Sequence, residues 1–384
     1  MNFLHVSDLH IGKKLCGKSL AEDQRHILGE IISMAAQPDI DAVLIAGDLY
    51  DKCQPGGEAV EMAGGFLTAL SRLKKPAFIV SVNHDSAEQV AYCGGILASA
   101  DVHVSPAFSG APARHVLRDE LGEVHLYLLP FVRPSQVRRA FPQRAAQIKS
   151  YADALRAVVE EIHPDASARN VLVAHQFVVG GGAEMTLTDS EERMVGGVDA
   201  VPAEIFAEFD YVALGHLHTP QRAGSECVRY AGSPLKYSLS EENQKKAALK
   251  VCLGAKGAPL QIECLPYHPL RDVKSLRGDL AQLTAVDAVD MDYVFVTLTD
   301  ELPPLDPVGS LLQSYPNFVQ LRVENSRSGE KTEVIAERVE EKDPLEHFVD
   351  FFTAQNNGQT PSESQIQIMR KIIEEAEVKI SASH

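Results

Sequence analysis

Five places in this sequence carry side chains suited to holding metal ions: Asp8 with His10, Asp48, Asn83 with His84 and Asp85, His175, and His216 with His218. Carboxylates and the Asn83 carbonyl offer hard oxygen donors, and the imidazoles offer nitrogen. Asp8-Leu9-His10 alone is a commonplace pair. Asn83-His84-Asp85 says more, because the asparagine presents a neutral oxygen while the adjacent histidine points elsewhere. In Gly215-His216-Leu217-His218 the two imidazoles, at i and i+2, could serve two neighbouring ions.

Each of these groups follows a short apolar run: residues 3–6, 43–46, 78–80, 171–173 and 211–214. Such runs read as buried strands, and open α/β sheets place ligands at the carboxyl ends of their strands. If the strands share one architecture, their ends deliver two aspartates, an asparagine and four histidines to one pocket. Helices separate the first three strands. Ser19-Leu20-Ala21-Glu22 reads as a capping box opening a helix to about residue 36, with Ile27, Leu28, Ile31 and Ile32 on one face. A second helix is expected over about 58–73, weakened by Gly64-Gly65. Further strands are expected near 101–104, 114–118 and 124–129, a helix at 151–162, and strands at about 247–253 and 259–265. Residues 269–327 read as a small α/β module, with helices near 279–285 and 307–314 and strands at 293–298 and 318–323. Two tail helices follow, at about 344–355 and 363–378. Their apolar residues Phe348, Phe351, Phe352, Ile366, Met369 and Ile373 need a cover, either from this chain or from a partner.

A chain of 384 residues is long enough for two or three domains. Its net charge of −17 argues against binding polyanions over the whole surface, so any contact with nucleic acid must come from a local site. Two basic groups are candidates for phosphate contact or for plain solvated surface: Lys13, Lys14 and Lys18 beside the first motif, and a segment with Arg133, Arg138, Arg139, Arg144 and Lys149. Gly180-Gly181-Gly182 lacks the Lys-Ser/Thr ending of a phosphate-binding loop, so no nucleotide site is expected there. The six cysteines form no CxxC pair and read as reduced thiols. Without a signal-like N-terminus or a membrane-length apolar run, the expected compartment is the cytoplasm.

The order Ser7-Asp8-Leu9-His10, Gly47-Asp48, Asn83-His84-Asp85, Ala174-His175-Gln176 and Gly215-His216-Leu217-His218 resembles the calcineurin-like metallophosphoesterases. Within them the resemblance is to the nuclease subunits of DNA-break-processing complexes, and Gly232-Ser233-Pro234 and Asp343-Pro344-Leu345 add to it. It implies a four-layer αββα fold. It also implies a nuclease domain over 1–268, a DNA-capping α/β domain over 269–330, and a linker with partner-binding helices over 331–384. By the same resemblance, Asp8, His10, Asp48 and His218 hold one ion, and Asp48, Asn83, His175 and His216 the other. A carboxylate suits the shared position, because its two charged oxygens can span ions about 4 Å apart. The mixed oxygen and nitrogen set suits Mn²⁺, with Fe or Zn as alternatives. His84 would act on the leaving oxygen and Asp85 would orient it.

The implied activity is 3′→5′ exonuclease action on duplex ends and endonuclease action at hairpins, by a water activated between the ions. The implied partner is an ATPase subunit that binds ATP itself, in a heterotetramer built on a homodimer of this chain. The competing reading is a phosphoesterase acting on a small phosphodiester or a phosphoprotein. One departure stands out: Val82 occupies the place where the family usually has glycine before the Asn-His-Asp motif.

Overall fold

The computed structural model describes residues 1–80, 94–105, 108–180, 185–189, 200–286, 288–302, 304–324, 333–335, 348–349, 352–353 and 360–369. Two compact units are present, Met1–Ile335 and Ala336–His384.

The first unit is built on two six-stranded sheets. Strands β1 (Asn2–Val6), β2 (Ala42–Ile45), β3 (Ala77–Ile79) and β4 (Val102–Val104) run parallel, joined through helices α1 (Ala21–Ala35) and α2 (Gly57–Arg72). The second sheet contains β5 (Ala113–Asp119), β6 (Gly122–Leu129), β7 (Arg169–His175), β8 (Tyr211–Gly215), β9 (Gln221–Arg222) and β10 (Val228–Tyr230). Its order is β9-β10-β8-β7-β6-β5. Between β6 and β7 lie helices α3 (Pro134–Ala140) and α4 (Tyr151–Ile162). Strands β11 (Ala247–Cys252) and β12 (Gln261–Pro266) then return to the first sheet, giving β12-β11-β1-β2-β3-β4.

Side chains of successive strand residues point to opposite faces, and here both faces are covered. Phe3, Leu44 and Phe78 meet Leu126, Val171 and Ala213 between the sheets. Leu4, Val43 and Ile45 face Ile27, Ile31 and Phe66 of α1 and α2, while Leu172, Val212 and Leu214 face Leu155 and Val158 of α4. The result is helix, sheet, sheet, helix. It explains why inner strands such as β2, β3 and β8 are continuous apolar runs, while the edge strands β5 and β12 mix partly buried and exposed residues.

The α1 boundary differs from the capping-box expectation. The N-cap is Leu20, with no side-chain cap, and Ser19 Oγ accepts from the Ala21 amide at 3.3 Å instead. The capping box that does form belongs to α4, where Ser150 and Asp153 exchange hydrogen bonds at 3.0 and 3.1 Å.

A third sheet holds β13 (Val273–Gly278), β14 (Tyr293–Leu298), β15 (Phe318–Val323) and β16 (Glu333–Ile335), with α5 (Leu280–Thr284) and α6 (Pro307–Ser314). It is fastened to α1 by buried Asp23, whose Oδ2 accepts from Arg271 Nη1 and Tyr293 Oη, both at 2.7 Å. Strand β13 was not expected from the sequence; its half-exposed residues break up the apolar run.

At the opposite end of the strands from the candidate ligands, buried Arg169 braces the two sheets. It donates to both oxygens of Asp119 (2.5 and 3.0 Å) and to the carbonyls of Gly122, Leu253 and Gly254. These bonds hold the Asp119 carboxyl far below the usual carboxylate range. A depressed folded value means the contribution is complete above the ordinary value of 3.8 and fades as pH falls towards the folded one. Arg169→Met is expected to cost about 3 kcal/mol near neutrality, since a charge-assisted pair is lost and the Gly122 and Gly254 carbonyls lose their arginine donor. Urea unfolding near neutrality and again at about pH 2.5 checks this: the gap between wild type and variant should narrow in acid.

In the second unit, residues 363–369 are helical and open with Ser362, whose hydroxyl accepts from the Gln365 amide at 3.4 Å. Phe348 and Phe352 lie 5.8 Å apart, centroid to centroid, and Ile366 and Met369 are half-buried. Phe351 and Ile373 lie outside the described residues. Among the described residues, no helix is long and apolar enough to cross a membrane, and Cys227, Cys252 and Cys264 are free thiols.

Candidate metal centre

The two loops that leave β1 and β2 run side by side. The Asp8 amide donates to the Gly47 carbonyl (3.2 Å), His10 to Asp48 (2.9 Å) and Ile11 to Leu49 (2.9 Å). This zipper turns Asp8, His10 and Asp48 back over the strand ends, and all three have positive φ (53°, 42° and 47°). His216, just after β8, has φ 103°. Such backbone is sparsely populated outside glycine and costs of order 1–3 kcal/mol per residue unless the surroundings enforce it.

The second sheet supplies the facing side. Strands β7 and β8 are parallel neighbours with Gly215 opposite His175, so His175, His216 and His218 emerge together. Gly215 is needed by contact rather than by torsion: a Cβ there would lie 1.9 Å from the Ala46 carbonyl oxygen and 2.8 Å from His175 Nδ1. Its absence lets His175 Nδ1 donate to Ala46 O at 2.8 Å, which leaves Nε2 facing Asp48 Oδ2 at 3.3 Å.

Two groups of donors result, Asp8 with His10 and His218, and Asp8 with Asp48 and His175; within each, all donor atoms lie within 4.8 Å of one another. Asp48 Oδ2 is also 3.5 Å from His10 Nε2, so it lies between a histidine of each group. Asp8 is braced by the Ser7 hydroxyl (2.6 Å) and the His216 amide (2.9 Å). His10 and His218 approach to 3.1 Å through their Nε2 atoms. The His216 ring is 5.4 Å from that of His175, centroid to centroid, and adjoins the second group without joining it.

The electrostatics favour a cation. Asp8 is fully buried, and burial pushes its carboxyl up, assisted by Asp48 and opposed by His175 and His218. Burial pushes the His175 imidazole down, but Asp48 and Asp8 outweigh it and hold it at about 9. Two buried carboxylates thus face each other among imidazoles, with oxygen and nitrogen donors and no thiolate. That donor set fits divalent ions of the Mn²⁺, Fe²⁺ or Zn²⁺ type.

Several residues around these donors carried no clear signal in the sequence. Asp51 pairs with Lys13 Nζ at 2.8 Å and lies 3.8 Å from His10 Nδ1. The Tyr237 hydroxyl donates to Leu9 O (2.6 Å), and its ring stands edge-on to both His10 and His218. Glu241 and Lys246 form a buried pair at 2.6 Å. Burial pushes the Glu241 carboxyl up, but His218 and Lys246 prevail and hold it at about 2. All three of Tyr237, Glu241 and Lys246 lie on an irregular stretch without periodicity.

Asn83, His84 and Asp85, with Val82 before them, lie outside the described residues. The parallel register of β3 with β2 directs its carboxyl end to the same edge as Asp48. The basic candidates are partly committed elsewhere. Lys13 is paired with Asp51, Lys18 Nζ donates to Pro316 O (3.3 Å), and Arg138 donates to Ile148 O (2.9 Å). Lys14 and Arg133 are exposed.

Comparison with known proteins follows the same lines. Residues 1–220 match the family described as calcineurin-like phosphoesterase, and 266–356 match one described as type 5 capsule protein repressor C-terminal domain, SbcD_C. The chain is 30% identical over 383 residues to the SbcD component of nuclease SbcCD from Staphylococcus epidermidis, covering 97% of this chain and 99% of that one. Among solved structures, phosphopantetheinyl hydrolase (PptH) of Mycobacterium tuberculosis aligns with TM-score 0.33 at 13% identity, over 60% of this chain and 87% of that one. A dimetal phosphatase from Danio rerio aligns with TM-score 0.37 at 11% identity, over 69% and 95%. At these TM-scores the likenesses carry no argument of their own. The donor geometry, the motif order and the near full-length identity agree: this chain belongs to the calcineurin-like phosphoesterase family, among the SbcD nucleases.

Proposed function

We propose that this chain is the nuclease subunit of an ATP-dependent DNA repair and recombination complex, cutting phosphodiesters with two divalent metals, most readily Mn²⁺. The observation that carries the reading is the meeting of five donor side chains from two sheets at one edge, in a chain similar along its whole length to an SbcD nuclease. In this reading residues 1–268 form the nuclease domain, 269–330 a cap over DNA, and 331–384 the docking segment for an SbcC-type ATPase. Two copies of each chain would complete the assembly.

When bound, the two ions would supply charge neutralisation at the phosphodiester and an attacking water of lowered pKa. The chain's own residues do the rest. Asp8, His10 and His218 would hold one ion, His175 with His216 and Asn83 the other, and Asp48 would touch both. Its Oδ2 is the oxygen placed between His10 and His175. The Asp8 oxygens already accept from Ser7 and the His216 amide, which favours Asp48 over Asp8 for the bridge. Ala46 O, by accepting from His175 Nδ1, keeps the proton there and makes Nε2 the nitrogen that would give up its proton on ligation. His84, beside Asn83 in sequence, is assigned protonation of the leaving oxygen, with Asp85 orienting it.

End-labelled duplex and hairpin DNA, incubated with Mn²⁺ with and without the co-purified ATPase and ATP, tests this. Expected are 3′→5′ shortening of ends and opening of hairpins, both lost when EDTA removes the metal. Hydrolysis of a small phosphodiester or a phosphopeptide, with intact DNA even beside the partner, would replace this reading with that of a general phosphoesterase.

A further inference from the structure

We infer that Glu241 is a positioning residue for the metal centre, holding His218 in the tautomer and orientation in which Nε2 is the ligand. The inference rests on the metal-binding reading above and adds a residue to it. A histidine can ligate through Nε2 only if the ring proton sits on Nδ1, and whatever accepts that proton sets both tautomer and ring angle. His218 turns Nε2 towards His10 within the first donor group, and its Nδ1 faces Glu241 Oε1 at 3.5 Å.

Glu241 is itself held from both oxygens. Oε1 accepts from the Tyr237 amide (3.2 Å) and the Ser238 hydroxyl (3.1 Å), and Oε2 from Lys246 Nζ (2.6 Å) and the Ser233 hydroxyl (3.2 Å). The same loop grips the main chain of its target. Lys246 Nζ and the Ser233 amide both donate to the His218 carbonyl, at 2.8 and 3.1 Å. Gly232, at φ 79°, lets that carbonyl approach, since a Cβ there would lie 2.6 Å from it. Glu241 and Ser233 are wholly buried and Lys246 nearly so. A buried carboxylate–ammonium pair is seldom a gain in stability over apolar residues of the same size, so its placement against one imidazole calls for another role. His175 provides the contrast: its Nδ1 is held by a main-chain carbonyl, which substitution cannot remove.

The test is Mn²⁺ titration of the full chain by calorimetry, for wild type, Glu241→Gln, and Glu241→Gln with Lys246→Met, which avoids leaving a buried ammonium unpaired. Two sites are expected in wild type. In the folded variants, affinity at one of them should fall about 10- to 100-fold while the other changes little. Wild-type affinity at both sites, or equal weakening of both, overturns the inference while leaving the metal reading intact. A wild type that binds no Mn²⁺ overturns both. A second readout needs no variant: in the Zn²⁺-loaded wild type, nitrogen NMR of the histidine rings should show a proton on His218 Nδ1, and its absence there overturns the inference even if neither variant folds.

Discussion

Asp48→Ala is expected to weaken both metal sites together and to lower Mn²⁺-dependent DNA cleavage by about a thousandfold or more. The size follows from asking one carboxylate to serve two ions that each contribute several kcal/mol of charge stabilisation, at 1.36 kcal/mol per decade of rate. The direction follows from the geometry. Asp48 is 4% exposed, and its Oδ2 is 3.5 Å from His10 Nε2 and 3.3 Å from His175 Nε2, which belong to different donor groups. Parallel Mn²⁺ titration and end-labelled DNA assays read the outcome. If the variant lost only the ion beside His175, the bridging role would pass to Asp8, the residue common to both groups. Undiminished cleavage would end the assignment altogether.

Gly215→Ala should have the second largest effect, although the added group is one methyl. The new Cβ would stand 1.9 Å from Ala46 O and 2.8 Å from His175 Nδ1. Ala46 follows β2 and His175 ends β7, so neither can withdraw without disturbing a buried strand end. Overpacking of this kind costs about 1–3 kcal/mol, and wedging apart the buried hydrogen bond between His175 and Ala46 adds about 1 kcal/mol more. Denaturant unfolding should show that loss, and Mn²⁺ affinity should fall with it because the His175 ring is no longer held. A variant with wild-type stability and affinity would mean that the two sheets have room to part here.

Much of the fold was legible because its strands are covered on both faces. That condition writes β14 as a nearly unbroken apolar run, whereas β15 alternates and α4 carries one apolar face; all three begin and end where the sequence placed them. Where one face is half-exposed the signal fades, as in β13. The Ser19 capping box failed for a different reason: the hydroxyl found the nearer Ala21 amide, and the helix began one residue later than a Ser19 cap requires. Charge was a poor guide to use, since Lys13 and Arg138 are committed to Asp51 and to the Ile148 carbonyl.

The sequence by itself determined the candidate donors: which residues, in which order, each expected where an apolar run ends. Composition and spacing suffice for that, because strand ends and ligand chemistry are both local properties. Only the tertiary structure decided that Asp8, His10 and Asp48 come from one sheet and His175, His216 and His218 from the other. It alone revealed Glu241, Lys246 and Ser233 behind His218. The physical reason is distance along the chain. His10 and His218 are 208 residues apart yet meet at 3.1 Å, because two sheets must bury their inner faces against each other and thereby bring their strand ends to one seam.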